Sequence, residues 1–203
     1  MLTADQTAWR HLPGAVEVVT PPTESGVLSL ADLRRHVAQP LPDDDEQLQD
    51  MQEAAERVIE QKLARPLFTQ TRRAWFDGPL GAVVRLSEPA TSIVSVTAYG
   101  LDDASAVVAG TVYQADVAST PARLVLRSGQ QWPTSLRAQQ SVAVTYVTGW
   151  ARVDIPRNVR LAVALLVAHW YEHRTPTQAV TYTEVPYGID ALLGTPVMAL
   201  GVA

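Results

Sequence analysis

The most hydrophobic stretch of the chain lies toward its C-terminal end, at residues 154–174. Its apolar side chains fall on nearly every side of a helical wheel. Pro156 suits the first turn of a helix, and Pro176 ends it because the residue before a proline avoids the α region. The pattern predicts a central helix over residues 156–174, which the rest of the chain has to enclose. Its apolar run is too short to span a membrane.

Two more helices are predicted upstream, where apolar residues recur every three or four positions. Ser29 and Asp32 are spaced as a capping box, which starts a helix near residues 29–38. Asp43 is the expected N-cap of a longer helix near residues 43–64, whose acidic first turn suits the positive end of the helix dipole. This acidic run lacks the spaced ligands and central glycine of a calcium-binding loop, so no metal site is predicted there.

Residues 68–148 show a different periodicity, because apolar and polar residues alternate with a period of two. Glycine, proline and aspartate separate the runs, as they do in short turns between strands. The predicted strands lie near residues 69–76, 82–86, 92–99, 105–117 with a break at Gly110, 122–127 and 140–147. The predicted fold class is therefore α+β, with a helical core, an inserted antiparallel β module and an extended C-terminal tail.

These patterns divide the chain into four parts. The first part contains a β-like run from Ala15 to Val19, which is a possible edge strand. The last part has prolines and glycines among apolar residues and no lysine or arginine, so it either wraps its own domain or docks into a partner. The parts are an N-terminal arm (1–28), a helical core domain (29–67 and 149–174), an inserted β domain (68–148) and a C-terminal docking tail (175–203).

Composition narrows the function classes. The 203 residues include no cysteine, which excludes disulfides, thiolate metal sites and thiol catalysis. The net charge is −5, whereas a protein that binds DNA phosphates as its main task is usually basic. The arginine pairs at 34–35 and 72–73 are the remaining candidates for phosphate contacts, although paired arginines are usually solvated. The first residues do not resemble a signal peptide, so we expect synthesis in the cytoplasm and no membrane association.

One short motif in the central helix is compatible with metal chemistry. His169, Glu172 and His173 match H-x-x-E-H, in which two histidines one turn apart bind zinc and the glutamate polarises a water. Such a site needs a third ligand from downstream, where few acidic residues remain. Histidines near a helix C-terminus are also favoured by the helix dipole alone. No nucleotide-binding or serine-hydrolase motif occurs, and we predict no catalytic residue, metal or cofactor.

Three charges of the central helix oppose its dipole. Arg157 and Arg160 lie in its first turn, and Glu172 lies in its last turn. Charges in these positions need partners from elsewhere. We expect them to form a subunit interface or an internal contact, pairing with acids of the second helix or of a neighbouring subunit.

Five segments, taken in order along the chain, resemble a known family. They are VVTPPTESGVLSLADLRRHV, DDDEQLQDMQEAAERVIEQKL, VAVTYVTGW, IPRNVRLAVALLVAHWYEHR and VPYGIDALL. In sequence and spacing they resemble the head-tail connector (adaptor or head-completion) proteins of tailed bacteriophages and gene transfer agents. The resemblance covers residues 18–194.

This resemblance implies a structural protein of the virion neck, at the head-tail junction, without catalytic activity. The subunits would form a ring, commonly a dodecamer, below the portal protein ring, and DNA would pass through the lumen without sequence-specific binding. The next partner would be another neck or tail ring protein, a stopper or tail terminator. The segment that docks on the portal would contain Pro186, Tyr187, Gly188, Ile189, Leu192 and Leu193.

Two other interpretations stay open. The first is a β-sandwich binding module for carbohydrate or protein, with Trp75 and Trp132 as candidates for an aromatic platform. The second is a zinc hydrolase that uses His169, Glu172 and His173.

Overall fold

The computed structural model describes residues 12–37, 41, 43–173 and 187–194. The chain forms two compact units. The β unit consists of Met1–Thr23 and Thr69–Gly149, and the helical unit consists of Glu24–Phe68 and Trp150–Ala203. The chain therefore leaves the helical unit after Phe68 and returns to it at Trp150.

The β unit contains two antiparallel sheets. The larger sheet has the strand order β1-β2-β8-β4-β5, and the smaller has the order β3-β7-β6. The strands are β1 (Ala15–Thr20), β2 (Gln70–Phe76), β3 (Val83–Arg85), β4 (Ser92–Tyr99), β5 (Ser105–Val107), β6 (Tyr113–Asp116), β7 (Arg123–Leu126) and β8 (Val142–Thr148).

The period of two is visible in the burial of β2 and β4, whereas β8 at the centre of the larger sheet is buried on both sides and β1 and β5 at its edges are exposed. Phe76, Val144 and Tyr146 are fully buried in the core of the β unit, together with Leu124 of the smaller sheet. The strands predicted from the period of two are present. The run near 105–117 is divided into β5 and β6, and the two strands join different sheets. The run from Ala15 to Val19 is part of β1, which lies at the edge of the larger sheet.

In its described residues, the helical unit contains four helices. The 3₁₀ turn Arg152–Asp154 precedes the third of them. None of the described helices has the length and apolar composition needed to cross a membrane. The helices are α1 (Leu30–His36), α2 (Asp45–Leu63), α3 (Arg157–Glu172) and α4 (Tyr187–Leu193).

The start of α1 confirms the capping box. The Ser29 hydroxyl accepts a hydrogen bond from the Asp32 backbone N–H at 3.1 Å, and the Asp32 carboxylate accepts one from the Ser29 backbone N–H. Leu28 packs against the same core in which Leu33 is buried. Local sequence is sufficient to begin this helix.

The start of α2 differs from the prediction by one residue. Its N-cap is Asp44 rather than Asp43, and the Asp44 side chain makes no capping hydrogen bond. The Asp44 carboxylate instead accepts hydrogen bonds from the Leu41 backbone N–H and from the hydroxyl of Tyr171. Because Tyr171 lies at the end of α3, this carboxylate joins the start of one helix to the end of another.

Helix α3 forms the centre of the helical unit, as its hydrophobicity predicts. Pro156 is its N-cap residue, and its described helical part ends at Glu172, two residues before the predicted end at Arg174, which lies outside the described residues. Its buried residues are Val159, Ala162, Val163, Ala164, Leu166, Val167 and Tyr171. The expectation that the whole helix is enclosed is wrong for one face, because Leu161 and Leu165 are each 40% exposed.

A pair of polar residues on α2 anchors the segment that enters the helical unit. The Glu56 carboxylate accepts a hydrogen bond from the Val27 backbone N–H at 2.6 Å, and Gln52 accepts one from the Leu28 backbone N–H at 3.2 Å. Both side chains are buried. Burial raises the pKa of Glu56 above its usual 4.5, although the hydrogen bond from Val27 opposes this effect.

Glu56→Gln tests this anchor. Glutamine keeps an acceptor for the Val27 N–H and removes the buried charge, which is unfavourable while the carboxylate is ionised. The raised pKa of Glu56 means that its ionised carboxylate destabilises the folded state at neutral pH. This destabilisation disappears as the pH falls through the folded-state pKa, because the carboxylate becomes protonated. We therefore expect E56Q to melt at a higher temperature than the wild type at neutral pH, with a difference that shrinks on acidification.

Thermal unfolding is monitored by circular dichroism at a series of pH values, from neutral pH down through the folded-state pKa of Glu56. Asp50→Asn is the matched control, because Asp50 is exposed on the same helix. A difference between E56Q and the wild type that does not depend on pH would refute the role assigned to the buried carboxylate.

Candidate assembly surfaces

One face of α3 is turned away from the core of the helical unit. Arg157, Leu161, Leu165 and Glu172 fall on this outer face, at helical spacings of four, four and seven residues. All four are exposed, and the two leucines lie between the two charges. The face thus combines apolar surface at its centre with a positive charge at one end and a negative charge at the other.

Arg157 and Glu172 have no side-chain partner among the described residues. Neither forms an ion pair or a side-chain hydrogen bond in the described part of the chain. Each charge opposes the dipole of the helix end at which it lies. Pairing with acids of the second helix of the same subunit is therefore not observed among the described residues, and pairing with a neighbouring subunit stays a prediction.

Arg160 has a different environment from Arg157. Its guanidinium donates hydrogen bonds to the carbonyl oxygens of Ile155 at 3.1 Å, Arg152 at 2.8 Å and Val153 at 2.9 Å. These carbonyls belong to the 3₁₀ turn and the residue that follows it. Arg160 thus stabilises the entry into α3 from within the subunit, a contact that the sequence pattern did not reveal.

The exposed side of α2 carries acidic residues that match this arrangement. Glu46, Asp50 and Glu53 are exposed at spacings of four and three residues, and Glu53 forms an ion pair with Arg57 one turn later. The outer face of α2 is therefore negative along its first half and has a positive charge beyond it. The outer face of α3 has the opposite order, from Arg157 to Glu172.

The predicted docking residues are described only within α4. Ile189 is fully buried in the core of the helical unit, and Leu192 and Leu193 pack against that core. Pro186 lies outside the described residues, and Tyr187 is described only as the first residue of α4. Gly188 is exposed.

Two polar contacts fix α4 on the helical unit. Lys62, the only lysine of the chain, forms an ion pair of 2.7 Å with Asp190. Asn158 of α3 donates a hydrogen bond to the Leu192 carbonyl oxygen at 2.8 Å. This part of the tail therefore packs on its own unit, one of the two alternatives for an apolar tail, and its predicted role in docking stays a prediction.

The H-x-x-E-H motif adopts the geometry of a helix end. The rings of His169 and His173 lie 4.4 Å apart between centroids, and the Nδ1 atom of His173 lies 2.8 Å from the backbone oxygen of His169. The Glu172 side chain is exposed. Among the described residues, no group of three or more histidine, cysteine, aspartate or glutamate side chains is arranged to hold a metal ion.

The tryptophans proposed for a binding platform have different environments. Trp132 is buried, donates a hydrogen bond to the Gly81 carbonyl oxygen at 2.8 Å and stacks on Tyr113. Trp75 lies partly exposed on the larger sheet, where its ring is 5.5 Å from that of Tyr99. Trp132 is thus part of the core, whereas Trp75 and Tyr99 are partly exposed.

The charged groups beside Trp75 are already neutralised. Arg73 forms an ion pair with Glu17, whose carboxylate also accepts a hydrogen bond from the Trp75 ring N–H at 3.2 Å. Arg137, which lies over the Tyr99 ring, forms an ion pair with Asp103. These contacts leave no unpaired charge for a ligand at this position of the described sheet.

The arginine pairs considered for phosphate contacts are engaged in ion pairs. All four arginines form an ion pair. The partners are Asp45 for Arg34, Asp32 for Arg35, Glu88 for Arg72 and Glu17 for Arg73. Glu88 is buried and also accepts a hydrogen bond from the Tyr146 hydroxyl at 2.6 Å. Burial and this carboxylate raise the pKa of Tyr146. These arginines therefore stabilise the subunit.

The comparison with protein families gives the identification. Residues 27–185 match the family model described as "Head completion protein". The chain belongs to the head completion protein family. The resemblance found in the sequence is confirmed, and this family consists of structural proteins rather than enzymes, as predicted. No curated protein sequence matches the chain significantly.

Solved structures show that other chains share the fold of this head completion protein. A chain from the neck of an empty gene transfer agent (GTA) particle, computed with C6 symmetry, has a TM-score of 0.67 at 20% identity and covers 88% of this chain and 93% of its own. A chain from the virion of a native GTA particle has a TM-score of 0.67 at 21% identity and covers 88% of this chain and 92% of its own. A chain from the neck of a native GTA particle, computed with C12 symmetry, has a TM-score of 0.63 at 20% identity and covers 86% of this chain and 92% of its own.

Proposed function

We propose that this head completion protein is a head-tail connector of the virion neck. Its subunits form a ring, a dodecamer, below the portal protein ring, join the capsid to the tail and let DNA pass through the lumen. The observation that carries the proposal is the family match over residues 27–185, together with the shared fold of chains from GTA necks that were computed with C6 and C12 symmetry.

The charge of the subunit supports a passage for DNA rather than a binding site. The net charge is −5, and both arginine pairs, at positions 34–35 and 72–73, are held in ion pairs within the subunit. Each phosphate that a lumen neutralised would release counterions and add binding free energy, which would slow the DNA. A ring of such subunits lets DNA move without sequence-specific contacts.

The subunit interface in this proposal joins the outer face of α3 to α2 of the neighbour. Contacts around a ring are heterologous, so two different surfaces of each subunit have to be complementary. Arg157 of one subunit meets Asp50 and Glu46 of the next, and Glu172 lies toward Arg57 of the next. Leu161 and Leu165 are buried between them. Arg160 lies within the subunit in this proposal, where it stabilises the turn that precedes α3.

The C-terminal tail docks on the portal protein, and the opposite side of the ring receives the next neck or tail protein, a stopper or tail terminator. The docking segment contains Pro186, Tyr187, Gly188, Ile189, Leu192 and Leu193. The buried Ile189 and the Lys62–Asp190 ion pair position α4 on the helical unit.

Arg157→Glu should separate subunit stability from assembly. A negative charge in the first turn of α3 interacts favourably with the helix dipole, so we expect the melting temperature to rise by about 1–3 °C. In the proposed interface, the same change places the negative charge introduced at position 157 against the acidic residues Glu46 and Asp50 of the neighbouring α2. Rings, measured by light scattering in the presence of the portal protein, should therefore be lost.

Two further variants control this experiment. Adding Asp50→Arg to R157E restores opposite charges and should restore rings. Arg160→Ala removes hydrogen bonds within the subunit, so it should lower the melting temperature by about 2–6 °C and keep the ring mass unchanged at temperatures where it is folded. Rings that form normally with R157E would rule out the proposed interface.

Shortening the tail tests the docking segment. A chain that ends at residue 184 lacks the docking residues and α4, and we expect it to lose binding to the portal protein in a pull-down. A chain that ends at residue 194 keeps them and should retain binding. Retained binding by the shorter chain would show that the portal contact lies elsewhere.

Folding of both shortened chains is checked by circular dichroism. Ile189→Ala is the matched control for stability, because removal of a fully buried isoleucine costs about 2–5 kcal/mol without removing the segment. I189A should therefore unfold at a lower temperature and bind the portal protein at temperatures where it is folded.

A further inference from the structure

The larger sheet of the β unit has two open edges. β1 lies at one edge and β5 lies at the other, and every residue of both strands is exposed. In the described part of the chain, β1 pairs only with β2 and β5 pairs only with β4. Each edge therefore presents backbone N–H and C=O groups that another strand can pair with.

Both edges expose valines, although two features limit edge-to-edge pairing: β5 has only three residues, and β1 has a register shift between Val18 and Thr20. Val18 of β1 is 51% exposed and Val107 of β5 is 73% exposed. Neither strand contains the lysine or proline that commonly blocks edge-to-edge pairing. Glu17, the one charged residue of β1, is bound to Arg73 and Trp75 of its own sheet. The outward side of each strand is thus free of unpaired charge.

The directions of the strands determine how two copies can join. Four antiparallel pairings separate β1 from β5, so the two edge strands run in the same direction. Copies placed side by side in the same orientation bring β5 of one against β1 of the next as a parallel pair. Pairing of β1 with β1 would instead need a twofold axis, which closes a dimer and ends growth.

We propose that β5 of one subunit pairs with β1 of the next, so that the larger sheets form a continuous β structure around the assembly. The partner of each edge is a second copy of this chain. This inference rests on the proposed ring and adds a contact of the β unit to the contact of the helices. Because β5 has three residues, the pairing contributes few hydrogen bonds and acts together with apolar contacts of Val16, Val18 and Val107.

The absence of cysteine from the sequence allows a direct test by disulfide formation. Val18→Cys and Val107→Cys are made in separate chains, mixed with the portal protein of the same particle and oxidised. A disulfide within one subunit is excluded, because each variant chain contains a single cysteine. We expect a covalent dimer that contains one V18C chain and one V107C chain.

Val153→Cys is the matched control. Val153 is also an exposed valine but lies in the 3₁₀ turn of the helical unit. The V18C–V107C dimer should form several-fold faster than the V18C–V153C dimer. Equal rates, or a dimer of V18C with itself in preference to V107C, would overturn the proposed pairing.

Light scattering of the wild-type protein with the portal protein distinguishes the two proposals. Rings without the V18C–V107C dimer overturn the strand pairing and leave the connector function intact. The dimer without rings supports the strand contact and contradicts the connector function. If neither the rings nor the V18C–V107C dimer forms, both the strand pairing and the connector function are overturned.

Discussion

The structure of the helical unit depends on the burial of α3. Among the described residues, α1, α2 and α4 cover the inner side of this helix and leave Leu161 and Leu165 exposed. The same outer face carries Arg157 and Glu172, which lack partners in the described chain and oppose the helix dipole. In the proposed ring, contact with a neighbouring subunit would bury this apolar surface and pair these charges.

The two units divide the work of assembly in the proposed ring. The helical unit offers charge complementarity between α3 and α2, which specifies the register of neighbouring subunits. The β unit offers two edges of one sheet, whose pairing would combine a few backbone hydrogen bonds with contacts of exposed valines. Each proposed contact is heterologous, because it joins two different surfaces of neighbouring subunits.

Local patterns predicted the elements, and contacts between distant residues explain what the sequence could not show. The capping box of α1 and the alternation of β2, β4 and β8 depend on neighbours along the chain, so they were correctly predicted. Arg160 binds three carbonyls, Glu56 binds the Val27 N–H, and Ile189 is buried. These roles require the folded arrangement, and for Arg160 the sequence suggested only a misplaced charge.

In the proposed function, this head completion protein acts as a closed ring. Native mass spectrometry of the wild-type protein mixed with its portal protein measures this most directly, since it counts subunits in each complex. We expect one complex with a fixed number of subunits, a dodecamer. Single subunits as the only species, both with and without the portal protein, would contradict it.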